Sequence, residues 1–143
     1  MFMARPLRIE YPGAYYHVMN RGVSRRAIFL EDKDRQRFLD LLSEMTRLWK
    51  VEIYGYCLME NHYHLLLQTP RGAVARPMRH LDGIYTQSVN RAHRLDGPLF
   101  RGRYKGILID AEAVRGSVRG SGVMFAIHAC VVDAARYGTA GAG

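Results

Sequence analysis

Two histidines separated by one residue, His62 and His64, are the side chains whose types and spacing most suggest chemistry in this sequence. In a β-strand, alternate side chains point to the same face, so the two imidazoles would lie side by side. Tyr63, Leu65 and Leu67 would then anchor the other face. Neutral imidazole is the commonest metal ligand in proteins, so the spacing predicts a two-point site for a divalent cation. The competing interpretation is a pair of strand histidines in a polar pocket.

Hydrophobic patterning identifies the elements that would position these histidines. Apolar residues at helical spacing predict one helix from about residue 32 to 49 and a second from about residue 75 to 93. Aromatic and β-branched residues predict four strands. These strands cover residues 13–20, 51–59, 62–68 and 104–110. Glu60 and Asn61 supply a tight turn, which makes the second and third strands a hairpin.

The predicted order of elements is strand, helix, strand, strand, helix, strand. This is the order of a ferredoxin-like split βαβ sandwich (βαββαβ), an α+β fold whose antiparallel sheet carries both helices on one face. If the apolar residues of the third strand pack under the helices, His62 and His64 must project from the opposite, open face. A chain of 143 residues suffices for one core. We expect one domain over residues 1–113 and a divergent tail over residues 114–143.

The charge balance predicts a polyanionic partner. The chain has 21 Lys and Arg residues against 13 Asp and Glu residues, which gives a net charge of +8. Residues 71–119 alone hold ten basic and four acidic residues. A clustered, arginine-rich excess is typical of proteins that bind a phosphate backbone, although a solvated basic surface is the alternative. The residues selected for phosphate contacts are Arg21, Arg101, Arg103 and Lys105.

Other features of the sequence restrict the cellular context. No apolar run approaches about 18 residues, and the N-terminus lacks the apolar core of a signal peptide, so we expect a cytoplasmic protein with no membrane partner. Cys57 and Cys130 belong to no CxxC pair, which indicates reduced thiols. Among the remaining histidines, His17 is expected to be a buried or hydrogen-bonded strand residue. His80, His93 and His128 are expected to stand alone.

Three ordered blocks together resemble the HUH-type single-tyrosine transposases, particularly the branch associated with repetitive extragenic palindromes. The blocks are YHVMNRG at positions 16–22, MENHYHLLL at 59–67 and LFRGRYKGIL at 99–108. The resemblance implies a ferredoxin-like domain that acts on single-stranded DNA beside a hairpin, commonly as a homodimer. It also implies that His62 and His64 bind a divalent metal, magnesium or manganese. A tyrosine on a helix after the fourth strand would attack the scissile phosphate and form a 5′-phosphotyrosyl intermediate.

The tail departs from the family pattern at the place of that tyrosine. Family members carry there a tyrosine and, one turn later, an amide residue that completes the metal site, whereas residues 114–125 contain neither. Beyond the fourth strand the sequence has a single tyrosine, Tyr137, which becomes the candidate catalytic nucleophile, with Gly141 in the place of the metal ligand. An abrupt break of this kind is what a frameshift would produce. It predicts little or no covalent adduct with DNA.

The sequence therefore leaves two main functions open. One is a transposase-like protein that binds single-stranded or hairpin DNA and whose ancestral activity is metal-dependent cleavage and rejoining. The alternative is a non-catalytic DNA-binding module derived from a transposase. A third interpretation is an RNA-binding ferredoxin-like domain in which Tyr54 and Tyr56 stack on bases. The RNP pattern that marks such domains is not found in the sequence.

Overall fold

The computed structural model describes residues 11–109. Within this range the chain forms four strands and two long helices: β1 (Ala14–Arg21), α1 (Asp32–Trp49), β2 (Glu52–Leu58), β3 (His62–Thr69), α2 (Ala75–His93) and β4 (Lys105–Ile109). The strands form one antiparallel sheet in the order β2-β3-β1-β4. This is the ferredoxin-like arrangement, so the predicted α+β fold is confirmed. The tail with Tyr137 and the proposed domain boundary at residue 113 lie outside the described residues.

The hydrophobic core lies between the two helices and one face of the sheet. Helical spacing places Phe38, Leu41 and Met45 on one side of α1, and all three are fully buried. They pack with the buried side of α2 and with the inward residues of the strands, including Tyr63. Because strand side chains alternate, burial of Tyr63 commits its neighbours on β3 to the other face of the sheet. Neither α1 nor α2 is long and apolar enough to cross a bilayer.

Contacts between the helices involve two histidines that were expected to stand alone. His93, the last residue of α2, places Nε2 2.9 Å from Oδ2 of Asp34. The same carboxylate accepts the backbone N–H groups of Leu30 and Glu31 at the start of α1. His80 on α2 lies 3.3 Å from a carboxylate oxygen of Glu44 on α1. His93 therefore has a hydrogen-bond partner on the neighbouring helix, whereas His80 lies near Glu44 without a hydrogen bond to it. Neither histidine joins a metal-binding group within residues 11–109.

The loop that follows β1 is held from two sides. The Gly22 N–H donates to the carbonyl of Asn61, and the Val23 N–H donates to the carbonyl of Leu99, each at 2.9 Å. A Cβ atom on Gly22 would lie 2.1 Å from the carbonyl oxygen of Arg26. The loop therefore requires glycine at this position. It joins the end of β1 to the turn before β3 and to the segment before β4.

The variant Gly22→Ala should be destabilised by about 1–3 kcal/mol, because the added methyl group has no space beside the Arg26 carbonyl. Urea denaturation measures the change. Gly83→Ala is the matched control, since nothing lies within 4 Å of its Cβ position. Alanine is the better helix former, so this control should gain about 0.5–1 kcal/mol. Equal effects of the two substitutions would contradict the packing argument.

Candidate metal and nucleic-acid site

Three histidines gather on the face of the sheet opposite the helices. His62 and His64 both lie on this face, as the spacing predicts, and their ring centroids are 5.1 Å apart. His17 on β1 joins them, because its ring stacks on that of His64 with a centroid separation of 5.1 Å and an interplanar angle of 19°. His17 Nε2 lies 2.9 Å from His64 Nδ1. The expectation that His17 is a hydrogen-bonded strand histidine is confirmed, and its partner is one of the predicted ligands.

The surroundings of the histidines keep their rings neutral. Burial lowers the pKa of His17 and of His62 below the ordinary value of 6.5. The pKa of His64 falls to about 4, mainly through burial and further through the charges of His62 and His17. A neutral imidazole retains a lone pair on one nitrogen, and this is the form that binds metal ions. The site therefore offers ligand-competent imidazoles at neutral pH.

The histidine face is only partly open to solvent. His62 and His64 are half-buried, while Leu66 and Cys57 on the same face are almost completely buried without joining the core between sheet and helices. Since β3 is an interior strand, its side chains are flanked by those of β1 and β2. The face opposite the helices is therefore open in part, at the histidines, and closed around Leu66 and Cys57. The two imidazoles lie on a partly desolvated surface.

Three of the predicted phosphate-binding residues lie close to the histidines. Arg21 on β1 is the cross-strand partner of His62 on β3. Lys105 on β4 pairs with Met19 on β1, and Met19 pairs in turn with His64. The Arg101 N–H donates to the carbonyl of Arg21 at 2.9 Å, which brings the segment before β4 to the same edge. All three side chains are exposed. None of them forms an ion pair with a carboxylate of residues 11–109.

The fourth predicted residue, Arg103, is placed differently. It is exposed and lines a groove between α2 and the segment that leads into β4. Arg79 of α2 lines the same groove, whose apolar part includes Met78 and Phe100. Arg79 is not among the residues that the sequence predicts to contact phosphates. Its position on the exposed face of a basic amphipathic helix was the available signal.

A cluster of hydrogen-bonded polar side chains lies between the sheet and α2, on the core face of β3. Asp82 on α2 accepts hydrogen bonds from the Tyr63 hydroxyl at 2.7 Å and from Asn20 Nδ2 at 3.0 Å. Burial raises the pKa of Asp82 to about 6, although both hydrogen bonds favour the charged carboxylate. Tyr63 stands between His62 and His64 in the sequence. The cluster therefore ties the histidine strand, β1 and α2 together.

The family model described as "Transposase IS200 like" matches residues 10–111. The chain belongs to the IS200-like transposase family. The resemblance to single-tyrosine transposases seen in the sequence is confirmed. Members of this family are transposases, which act on DNA. The exposed basic residues near the histidine face are consistent with DNA binding.

Two solved structures show the same fold as this transposase-family chain. One is a REP-associated tyrosine transposase bound to a REP hairpin, with a TM-score of 0.70, 14% sequence identity, and coverage of 95% of this chain and 75% of that one. The other is a putative transposase from Deinococcus radiodurans, with a TM-score of 0.55, 17% identity, and coverage of 83% and 93%. At these identities the likeness establishes the fold. No curated protein matches the chain at a significant level.

A metal site of this IS200-like domain would be incomplete within the part of the chain that the structure describes. No group of three or more His, Cys, Asp or Glu side chains in residues 11–109 has an arrangement that could hold a metal ion. His62 and His64 fit a divalent cation as a pair of neutral donors on one face. The remaining coordination positions would have to come from water, from a phosphate oxygen, or from outside these residues.

The buried carboxyl group of Asp82 should give the domain a distinct pH dependence. Because its folded pKa of about 6 lies above the unfolded value of 3.8, the folded state binds the proton more tightly. Asp82 therefore reduces the free energy of unfolding as pH rises from about 4 to about 6. The asparagine of Asp82→Asn can still accept a hydrogen bond from the Tyr63 hydroxyl, but it does not titrate. The pH-dependent change of about 1–3 kcal/mol in the free energy of unfolding should therefore be absent in this variant.

Urea denaturation of both proteins across this pH range tests the expectation, with the difference between them as the measured quantity. Asp96→Asn, at an exposed position in the loop after α2, is the control and should show a constant difference. A constant difference for Asp82→Asn as well would contradict the role given to burial.

Proposed function

We propose that this chain binds single-stranded DNA next to a hairpin and holds a divalent cation between His62 and His64. The observation that carries the proposal is the placement of two neutral imidazoles on one sheet face, beside strands that carry the exposed Arg21 and Lys105. Membership of the IS200-like transposase family supports DNA as the partner. The relative solved with a REP hairpin supports a hairpin as the structured part of the substrate.

The proposed cation is manganese or magnesium. When bound, it would polarise a phosphodiester oxygen and stabilise charge that builds up there. Two imidazoles alone form a weak site for these ions, because Mn²⁺ stands low in the affinity order and Mg²⁺ prefers oxygen ligands. A phosphate oxygen of bound DNA would complete the ligand set. We therefore infer that DNA and cation bind cooperatively at this face.

The basic residues supply the sequence-independent part of DNA binding. Arg21 and Lys105 both lie on the β1–β4 side of the histidines, where they would contact phosphates, and Arg101 extends this surface past the end of β1. Arg103 and Arg79 would contact phosphates of a neighbouring part of the DNA strand in the groove beside α2. Contacts of this kind position the nucleic acid and do not read its sequence.

The catalytic half of the proposal depends on residues outside the described range. Tyr63 is fully buried and its hydroxyl donates to Asp82, so it cannot reach a phosphate on the histidine face. Tyr137 remains the candidate nucleophile from the sequence. We propose that this chain binds DNA without cleaving it efficiently. The alternative is a working transposase in which Tyr137 is the nucleophile. A homodimer belongs to the same proposal, and sedimentation equilibrium with and without hairpin DNA tests it.

Manganese binding tests the cation site directly. Isothermal titration with Mn²⁺ should show binding to the wild-type protein, strengthened by a single-stranded hairpin oligonucleotide. The double variant His62→Ala, His64→Ala should lose at least about 10-fold in affinity, which corresponds to about 1.4 kcal/mol. His80→Ala removes an imidazole from the helix layer and should bind Mn²⁺ as the wild type does. Unchanged binding in the double variant would refute the site.

Salt dependence tests the phosphate contacts. Each contact with a single strand should lower log affinity by about 0.7 per decade of salt concentration. Arg101→Gln should therefore reduce the measured slope by about that amount. Arg47→Gln removes the same charge from an exposed position on α1 and should leave the slope unchanged. Equal slopes for the wild type and Arg101→Gln would exclude Arg101 from the interface.

Covalent adduct formation separates the two functions left open by the sequence. Incubation with a labelled single-stranded hairpin and Mn²⁺, followed by denaturing electrophoresis, should give little or no adduct. An in-line nucleophile held close to the phosphorus contributes up to about 7–11 kcal/mol toward the barrier, and a cation cannot replace it. A strong adduct that disappears in Tyr137→Phe would establish a working transposase instead.

A further inference from the structure

Each of the two histidines of the proposed cation site uses the same ring nitrogen in a hydrogen bond. His62 Nδ1 lies 2.7 Å from Asn61 Oδ1. His64 Nδ1 lies 2.9 Å from His17 Nε2. Within residues 11–109, these are the hydrogen bonds that the two rings form. Their Nε2 atoms are therefore left without a partner from this part of the chain.

The chemistry of neutral imidazole gives this pattern a direct consequence. A neutral ring carries one N–H and one lone pair, on different nitrogens. The Asn61 side-chain oxygen can only accept, so His62 must donate through Nδ1 and keep its lone pair on Nε2. Between His17 and His64 a single proton is shared, and a histidine that binds metal through one nitrogen almost always donates a hydrogen bond through the other. Donation from His64 to His17 places the lone pair of His64 on Nε2 as well.

We propose that His17 and Asn61 are positioning residues that accept the Nδ1 protons of His64 and His62 and thereby present both Nε2 lone pairs to the cation. This inference rests on the proposed function, because it assigns the supporting partners of the same cation site. Neither residue contacts the cation. Both act by fixing the tautomer and the ring orientation of a ligand.

The structure holds Asn61 in the orientation that this role requires. Its side-chain Nδ2 donates to the carbonyl of Arg25 at 3.3 Å, which leaves the amide oxygen for His62. Its own carbonyl accepts the Gly22 N–H at 2.9 Å. Ser24 and Arg25 adopt positive φ angles of 52° and 59°, a conformation that is costly for residues other than glycine. The loop after β1 thus bends in a way that offers the Arg25 carbonyl to Asn61.

His17 is held equally firmly by the sheet. It lies on β1 between Tyr16 and Val18, both buried in the core, and its cross-strand partners are Leu66 and Ile107. His64 is a diagonal neighbour, a separation that two aromatic side chains can bridge. The stacked arrangement of the two rings therefore follows from the register of β1 with β3.

Nitrogen NMR of the imidazole rings measures the tautomers in the metal-free protein. At neutral pH, His62 and His64 should both show a protonated Nδ1 and an unprotonated Nε2. In His17→Leu only His64 should change to the Nε2-protonated form, and in Asn61→Ala only His62 should change. Manganese affinity should fall by about 10- to 100-fold in each variant, the usual effect of removing such a partner.

His17→Gln is the conservative variant that distinguishes positioning from ligation. The glutamine side-chain oxygen can accept the Nδ1 proton of His64, so the tautomer and most of the Mn²⁺ affinity should be retained. Thermal unfolding monitored by circular dichroism confirms that each variant is folded. If His17→Gln loses Mn²⁺ as completely as His64→Ala, His17 is a direct ligand and the proposal is overturned.

Two further outcomes separate this inference from the proposed function. Nε2-protonated His62 or His64 in a wild-type protein that still binds Mn²⁺ would overturn the positioning roles and leave the cation site standing. Expected tautomers in a wild-type protein that binds no Mn²⁺, with or without hairpin DNA, would overturn the cation site and the positioning roles together.

Discussion

The antiparallel pairing of β1 with β3 is the interaction on which the whole site depends. Its register sets Arg21 opposite His62 and leaves His17 diagonal to His64. A shift of one residue would turn the side chains of one strand to the opposite face. The core prevents this shift, because Val18 on β1 and Leu65 on β3 are cross-strand partners and both are fully buried. The apolar face of the sheet thus fixes the geometry of the polar face.

Beneath the sheet, a second polar cluster strengthens the same register. Asp82 binds Asn20 from β1 and Tyr63 from β3 with one carboxyl group, so it links the two strands from the helix side. A carboxylate in this position costs desolvation energy, as its raised pKa shows. The hydrogen bonds offset part of this cost. The buried Asp82 carboxylate therefore lowers the stability of the domain while it holds β1 and β3 against α2.

The parts of this structure that follow from local pattern could be predicted from the sequence. Helical spacing located both helices, and strand alternation placed His62 and His64 on one face. The parts that depend on contact between distant residues could not be predicted in the same way. His17 meets His64 only through strand register, and Asp82 meets Tyr63 only through packing of α2, so neither pair has a signal in local periodicity. Asn61 was interpreted as a turn residue, and its side-chain role becomes visible only with the loop around Gly22.

Binding and cleavage make different demands on the chain, and this difference explains how much of the function residues 11–109 can carry. Phosphate contacts need exposed cations at suitable spacing, and a cation site needs neutral donors on a rigid support. The paired strands hold the two imidazoles on one face, and exposed Arg21 and Lys105 lie on the neighbouring strands. In-line attack further requires a nucleophile near the phosphorus atom, and Tyr63, which stands between the two histidines in the sequence, points into the core and donates to Asp82. Within residues 11–109, the support of the histidine face comes from the pairing of β1 with β3 and from the loop after β1.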